Sequence, residues 1–124
     1  MENAKIQTFQ DLVAWREGHK LALLIYEITA NFPSREAYSL VDQMRRCSVS
    51  ITSNIAEGFS RKSKKEKMQF YYMALGSTTE LQNQLILSRD LKYVNDSQFL
   101  ESYEQTVRVH KLANGLIKSS RNYT

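Results

Sequence analysis

Four stretches of the chain, residues 9–30, 35–57, 64–91 and 97–118, carry apolar side chains at intervals of three and four, and only short breaks separate them. That spacing places the apolar side chains on one face of a helix. Helices of 20-odd residues are about 30 Å long, and short turns between them make neighbours antiparallel. The pattern therefore predicts an all-α fold: an antiparallel up-down-up-down four-helix bundle, with residues 1–124 as a single domain. Composition agrees. Four Gly and one Pro are too few for an all-β fold rich in turns, and 42% hydrophobic with 24% charged residues is an ordinary globular balance. The single Cys, Cys47, has no partner for an internal disulfide, which points to a reducing compartment. The stretch from Met1 to Lys5 lacks the apolar core of a signal peptide, and the longest apolar run, Leu21 to Tyr26, falls far short of a membrane span. The expectation is a soluble, cytoplasmic protein.

Each segment has its own signals. Thr8 with Asp11 reads as an N-cap for the first, and Asn31-Phe32-Pro33-Ser34 as its stop. Two neighbouring stripes, Leu12, Trp15, His19, Leu23 and Tyr26 beside Val13, Leu21, Leu24 and Ile28, make an apolar face wider than one core needs. In the second segment Leu40, Met44, Cys47, Ile51 and Ile55 form the stripe, and Gly58 is placed to end the helix in a left-handed conformation. Ser63-Lys64-Lys65-Glu66 matches a capping box for the third, whose stripe is Met68, Tyr71, Leu75, Thr78, Leu81 and Leu85. Gly76 in mid-helix marks either close approach by another helix or a tolerated cost of about 1 kcal/mol. Asp96 reads as the N-cap of the fourth segment. Phe99, Leu100, Tyr103, Val107 and Leu116 or Ile117 form its apolar face, and residues 119–124 form a frayed polar tail.

The charge is unevenly placed. Seventeen Lys and Arg oppose 13 Asp and Glu, a net +4, and residues 61–67 hold five bases and one acid. The rest of the chain is balanced, so Arg61, Lys62, Lys64, Lys65 and Lys67 carry the whole excess. A local basic patch attracts polyanions; the alternative is a solvated loop and helix start. Chemistry is harder to find. The Glu-x-x-His pairs of a di-iron bundle are absent, since Arg16 precedes His19 by three and Val107 precedes His110 by three. Two His and one Cys in three segments make no zinc signature. No phosphate-cradling Gly loop and no nucleophile–base pair is visible. The expectation is a non-enzyme without cofactor or metal.

Polar residues also align. Arg46, Ser50, Asn54 and Glu57 share one face of the second segment, and Ser77, Glu80 and Gln84 share one of the third. The two seams read as a buried hydrogen-bonded layer that fixes register or assembly. A polar ligand pocket and plain solvent exposure are the alternatives.

Two motifs resemble a known family. Gln43-Met44-Arg45-Arg46-Cys47-Ser48-Val49-Ser50-Ile51 leads into Ser53-Asn54-Ile55-Ala56-Glu57-Gly58-Phe59, and Gly76-Ser77-x-x-Glu80-Leu81 follows in the third segment. Phe9-x-x-Leu12-x-x-Trp15 and Phe32-Pro33 fit as well. Over residues 9–118 the chain resembles the four-helix-bundle proteins encoded in bacterial 23S rRNA intervening sequences. The resemblance implies an antiparallel bundle assembled as a ring-shaped homopentamer. The chain is also similar to the accessory proteins of diversity-generating retroelements, which share bundle and ring and work with a reverse transcriptase and nucleic acid. The resemblance supplies no catalytic residues.

Two functions follow as expectations. In the first the protein is a non-enzymatic nucleic-acid-binding module. Arg61, Lys62, Lys64, Lys65 and Lys67 contact phosphates of structured RNA or hybrid duplex, Arg45 extends the patch, and Phe70, Tyr71 or Tyr72 offers a stacking surface. In the second it is a structural or adaptor protein that binds another protein through its apolar and polar helix faces.

Overall fold

Local hydrogen bonds decide where each helix begins. The structure, a computed structural model, describes residues 5–121. Thr8 and Asp11 do form a reciprocal capping box, but it closes a 3-10 turn, Phe9–Asp11, rather than an α-helix. Leu12 is extended, and α1 spans Val13–Thr29. A second 3-10 turn, Ser34–Glu36, follows Pro33, so α2 starts five residues later than the periodicity suggests and spans Leu40–Ser60. The Ser63 hydroxyl accepts from the Glu66 amide, and α3 spans Lys64–Asp90. Helix α4 spans Asp96–Arg121. Its cap is Asn95, not Asp96: Asn95 Oδ1 accepts from the Gln98 amide at 2.8 Å while Gln98 Oε1 accepts from the Asn95 amide at 2.9 Å. The expected polar tail is helical as far as Arg121. Its last part, 122–124, and residues 1–4 lie outside the described residues.

Each helix packs on its chain neighbours, and α4 closes against α1, giving a four-helix bundle. Ser50 meets Ser77 while Met44 meets Ser88, so α2 and α3 run antiparallel. Gln82 with Thr106 and Tyr72 with Arg121 show the same for α3 and α4. Gly18 beside Thr52 and Thr29 beside Arg45 show it for α1 and α2. The Tyr93 hydroxyl and the Ser39 hydroxyl both donate to the Glu36 carboxylate, at 2.8 and 2.6 Å, and tie together the two connections at one end.

The core uses the whole expected stripe of α2: Leu40, Met44, Cys47, Ile51 and Ile55 are all buried. The stripes of α1 and α4 are corrected. In α1 the core face is Ala14, Gly18, Leu21, Ile25 and Ile28, while Val13, Leu23 and Tyr26 are exposed. In α4 it is Ser102, Thr106, Val109, Ala113 and Ile117, while Leu100 and Val107 are exposed. Small and hydroxylated residues let the helices approach, so Leu23 and Leu100 end up outside, while Leu12, Leu21, Ile28 and Ile117 are buried as expected.

The glycines are reassigned too. No described glycine has positive φ. Gly58 lies inside α2, where a Cβ would stand 2.6 Å from the Tyr71 ring. Gly18 provides a second close approach, 3.1 Å from Thr52 Cγ2. Gly76 meets nothing within 4 Å among the described residues, so no helix of this chain approaches it closely.

Candidate nucleic-acid interface

The basic run joins α2 to α3, at the end of the bundle where α4 also finishes. The last carbonyls of α2 and α4 lack partners within their helices and concentrate negative potential there. Two of the expected lysines answer that need. Lys67 Nζ donates to Phe59 O at 2.8 Å and to Gly58 O at 3.3 Å, and burial lowers its pKa. Lys64 Nζ donates to Arg121 O at 3.0 Å. Arg61 pairs with Glu57 at 2.6 Å, and its guanidinium lies 4.9 Å from the Phe70 ring centroid. Its Nε is buried without a partner among the described residues. Lys62 and Lys65 are exposed and make no ion pair among the described residues. Of the five cations, Arg61, Lys64 and Lys67 are held by a partner, and Lys62, Lys64 and Lys65 are exposed.

The same end carries bases that the sequence pattern did not connect with it. Lys118 and Arg121 lie in the last turn of α4, and Arg121 Nη2 donates to the Tyr72 hydroxyl at 3.4 Å. The antiparallel register of α3 and α4 was the only signal for them. A cleft of about 370 Å³ opens between Arg61, Lys62, Lys64, Lys67, Tyr71, Leu116, Ser119 and Ser120.

Arg45 does not extend this patch. It lies 16 residues before Arg61 on or just past α2, about 24 Å away along the helix. There Nε donates to Thr29 Oγ1 at 3.0 Å, Nη2 donates to Tyr26 O at 3.3 Å, and the guanidinium sits 4.6 Å from the Tyr26 ring centroid. Its work is at the C-terminus of α1. Of the three expected stacking residues, Tyr71 is buried, Phe70 is half-buried near Arg61, and only Tyr72 is exposed.

The polar seams meet only at their centre. Ser50 Oγ and Ser77 Oγ are 3.0 Å apart, and Asn54 Nδ2 donates to Ser50 O at 2.9 Å and to Ser50 Oγ at 3.1 Å. Cys47 Sγ donates to Ser77 O at 2.9 Å. Burial and the neighbouring Glu80 carboxylate push that thiol up to about 12. Arg46 and Glu57 instead pair along α2, with Asp42 at 2.9 Å and Arg61 at 2.6 Å. Gln84 is buried, and its Oε1 has no partner among the described residues. The expected buried layer is therefore a half-buried groove, with Arg46, Glu57 and Glu80 exposed at its margins.

The histidines serve elsewhere. His19 stacks on Trp15 with centroids 4.8 Å apart, and His110 Nδ1 lies 3.4 Å from Asn114 Nδ2. Among the described residues, no three of His, Cys, Asp and Glu gather as a metal site, and no helix is long and apolar enough to cross a membrane.

Comparison with known proteins places this architecture. A protein of unknown function from the S23 ribosomal protein family of Bacteroides thetaiotaomicron superposes with a TM-score of 0.77, over 86% of this chain and 99% of that one, at 22% identity. No curated protein matches the sequence. The family model described as 23S rRNA-intervening sequence protein matches residues 10–115, which include both sequence motifs and all but the ends of the bundle. The chain belongs to the 23S rRNA-intervening sequence protein family.

Proposed function

We propose that the protein is a non-enzymatic nucleic-acid-binding module that acts in the cytoplasm as a homo-oligomer, a pentamer by family resemblance, and contacts the backbone of structured RNA. The observation that carries this reading is the convergence of Arg61, Lys62, Lys64, Lys65, Lys67, Lys118 and Arg121 at one end of the bundle. Phosphate contacts of this kind release counterions, so affinity falls steeply with salt. Lys62 and Lys65 are the contacts most available to a polyanion, because the helix ends do not occupy them. Self-association multiplies a weak patch into useful avidity.

A salt titration against a structured RNA and a DNA duplex tests the reading. The Lys62→Gln/Lys65→Gln variant keeps Arg61, Lys64 and Lys67 at their carbonyls and carboxylate, so its melting temperature stays within a few degrees. Its slope of log affinity against log salt falls by about 2. Absence of binding to both nucleic acids at low salt overturns the proposal. A monomeric mass in solution overturns the assembly.

A second reading, an adaptor for another protein such as a reverse transcriptase, is favoured by exposed Leu23 and Leu100 on α1 and α4, beside a cleft that Leu23, Leu24, Glu101 and Gln105 line.

A further inference from the structure

The cleft at the basic end is lined by exposed Lys62 and Lys64 together with half-buried Arg61 and Lys67. Arg61, Lys64 and Lys67 line it, and each is anchored by a contact that leaves donors over. An ammonium has three N–H donors. Lys64 uses one on Arg121 O, and Lys67 uses two on Phe59 O and Gly58 O. Arg61 uses Nη2 on Glu57, which leaves further Nη donors over. Tyr71 and Leu116 give the cleft apolar walls, Ser119 and Ser120 add hydroxyls, and among the described residues none that line it is a carboxylate. Its volume, about 370 Å³, is in the range of small-ligand sites and suits a nucleotide-sized group better than a length of duplex.

We propose that this cleft seats the terminal phosphate of a nucleic-acid strand. The inference rests on the nucleic-acid reading above and sharpens it to strand ends. An internal phosphodiester carries one negative charge and has two free oxygens. A phosphomonoester carries nearly two charges at neutral pH and offers three strong acceptor oxygens. Several anchored cations around one small space match the second better than the first. Because their side chains are already held, little rotamer entropy remains to be lost on binding.

The test uses one single-stranded RNA of about ten nucleotides in three forms: 5′-phosphorylated, 3′-phosphorylated, and with hydroxyls at both ends. Anisotropy at moderate salt is expected to show at least one phosphorylated form binding about tenfold more tightly than the hydroxyl form. The preference shrinks below pH 6, where the phosphomonoester takes up a proton. Ser120→Trp, which fills the cleft, removes the difference in affinity between the phosphorylated and hydroxyl forms. Amide shifts of Ser119 and Ser120 on titration with a nucleoside monophosphate provide a measurement that needs no variant. Equal affinity for all three oligomers overturns end capture while the salt-dependent patch stands. A preference that survives in Ser120→Trp also overturns it. Failure of every oligomer to bind overturns both readings.

Discussion

At Gly58 a hydrogen in place of a methyl group decides how closely α2 and α3 approach. A Cβ there would stand 2.6 and 2.9 Å from Tyr71 Cε1 and Cδ1, and the Tyr71 ring is buried. The helix-propensity gain from alanine, about 1 kcal/mol, works against an overpacking cost of about 1–3 kcal/mol. Gly58→Ala is expected to destabilise by about 1 kcal/mol in urea unfolding, and by less in a Tyr71→Leu background, where the ring is gone. Gly115→Ala, which adds a Cβ into open space, is expected to stabilise by about 1 kcal/mol and controls for propensity. The opposite case is Lys92. It sits at φ 63° after α3, where the Tyr93 amide donates to Ser88 O and the Lys92 amide to Arg89 O, the paired bonds of a Schellman motif. Glycine is the usual occupant because it lacks the left-handed penalty of about 1–2 kcal/mol. Its larger entropy in the unfolded chain offsets roughly half of that. Lys92→Gly is expected to stabilise by about 0.5 kcal/mol, read as a higher urea midpoint at constant m-value.

Among the elements, α4 shows why hydroxyls hide in this core. Ser102 donates to Gln98 O at 2.7 Å and Thr106 to Tyr103 O at 2.6 Å; in α3, Thr78 donates to Ala74 O and Ser88 to Gln84 O, both at 2.8 Å. Each hydroxyl is satisfied by its own helix and can be buried as a small side chain. Among the described residues Thr78 makes only that bond, so Thr78→Val is expected to change stability by less than about 0.5 kcal/mol. Thr106 also accepts from Gln82 Nε2 at 3.1 Å. Thr106→Val therefore strands a half-buried amide and is expected to cost about 1–2 kcal/mol in the same unfolding assay. These residues also explain what was legible beforehand. The stripe of α2 is plain because its core positions carry large apolar side chains. The core faces of α1 and α4 are obscured because Ala, Gly, Ser and Thr occupy them, while Leu23 and Leu100 advertise faces that lie outside. The basic run is legible as a contiguous charge excess. Its division into anchored and exposed members is not, because the carbonyls that hold Lys64 and Lys67 are helix ends brought together by the fold. Arg45 fails for the same reason: its partners, Tyr26 and Thr29, belong to the end of another helix.

Taken as a whole, the molecule joins its parts through carboxylates that need to be charged. Glu17 on α1 accepts from Gln105 Nε2 at 3.0 Å and lies 3.1 Å from Arg108 Nε, both on α4. The Gln105 hydrogen bond, with Lys20 and Arg108 nearby, holds its pKa below the usual glutamate value. Glu36, which accepts from Ser39 and Tyr93, and Asp11, which accepts from the Gln7 and Thr8 amides, are lowered in the same sense. For a group whose folded pKa is depressed, the unfolded chain binds more protons between the two values, so stability rises with pH across that window. The contribution is complete above the ordinary carboxylate range, near pH 4, and disappears as pH falls through the folded-state values. Acid also leaves the 17 Lys and Arg unopposed, and their mutual repulsion acts in the same direction. The melting temperature is therefore expected to be nearly level between about pH 5 and 7 and to drop below about pH 4. Glu17→Gln separates the bridge from the general repulsion. It is expected to melt lower than the parent at pH 7, to fall less steeply in acid, and to approach the parent once both carry a neutral side chain at residue 17. Parallel curves for the two proteins would place the acid sensitivity in the summed charge and not in the α1–α4 bridge.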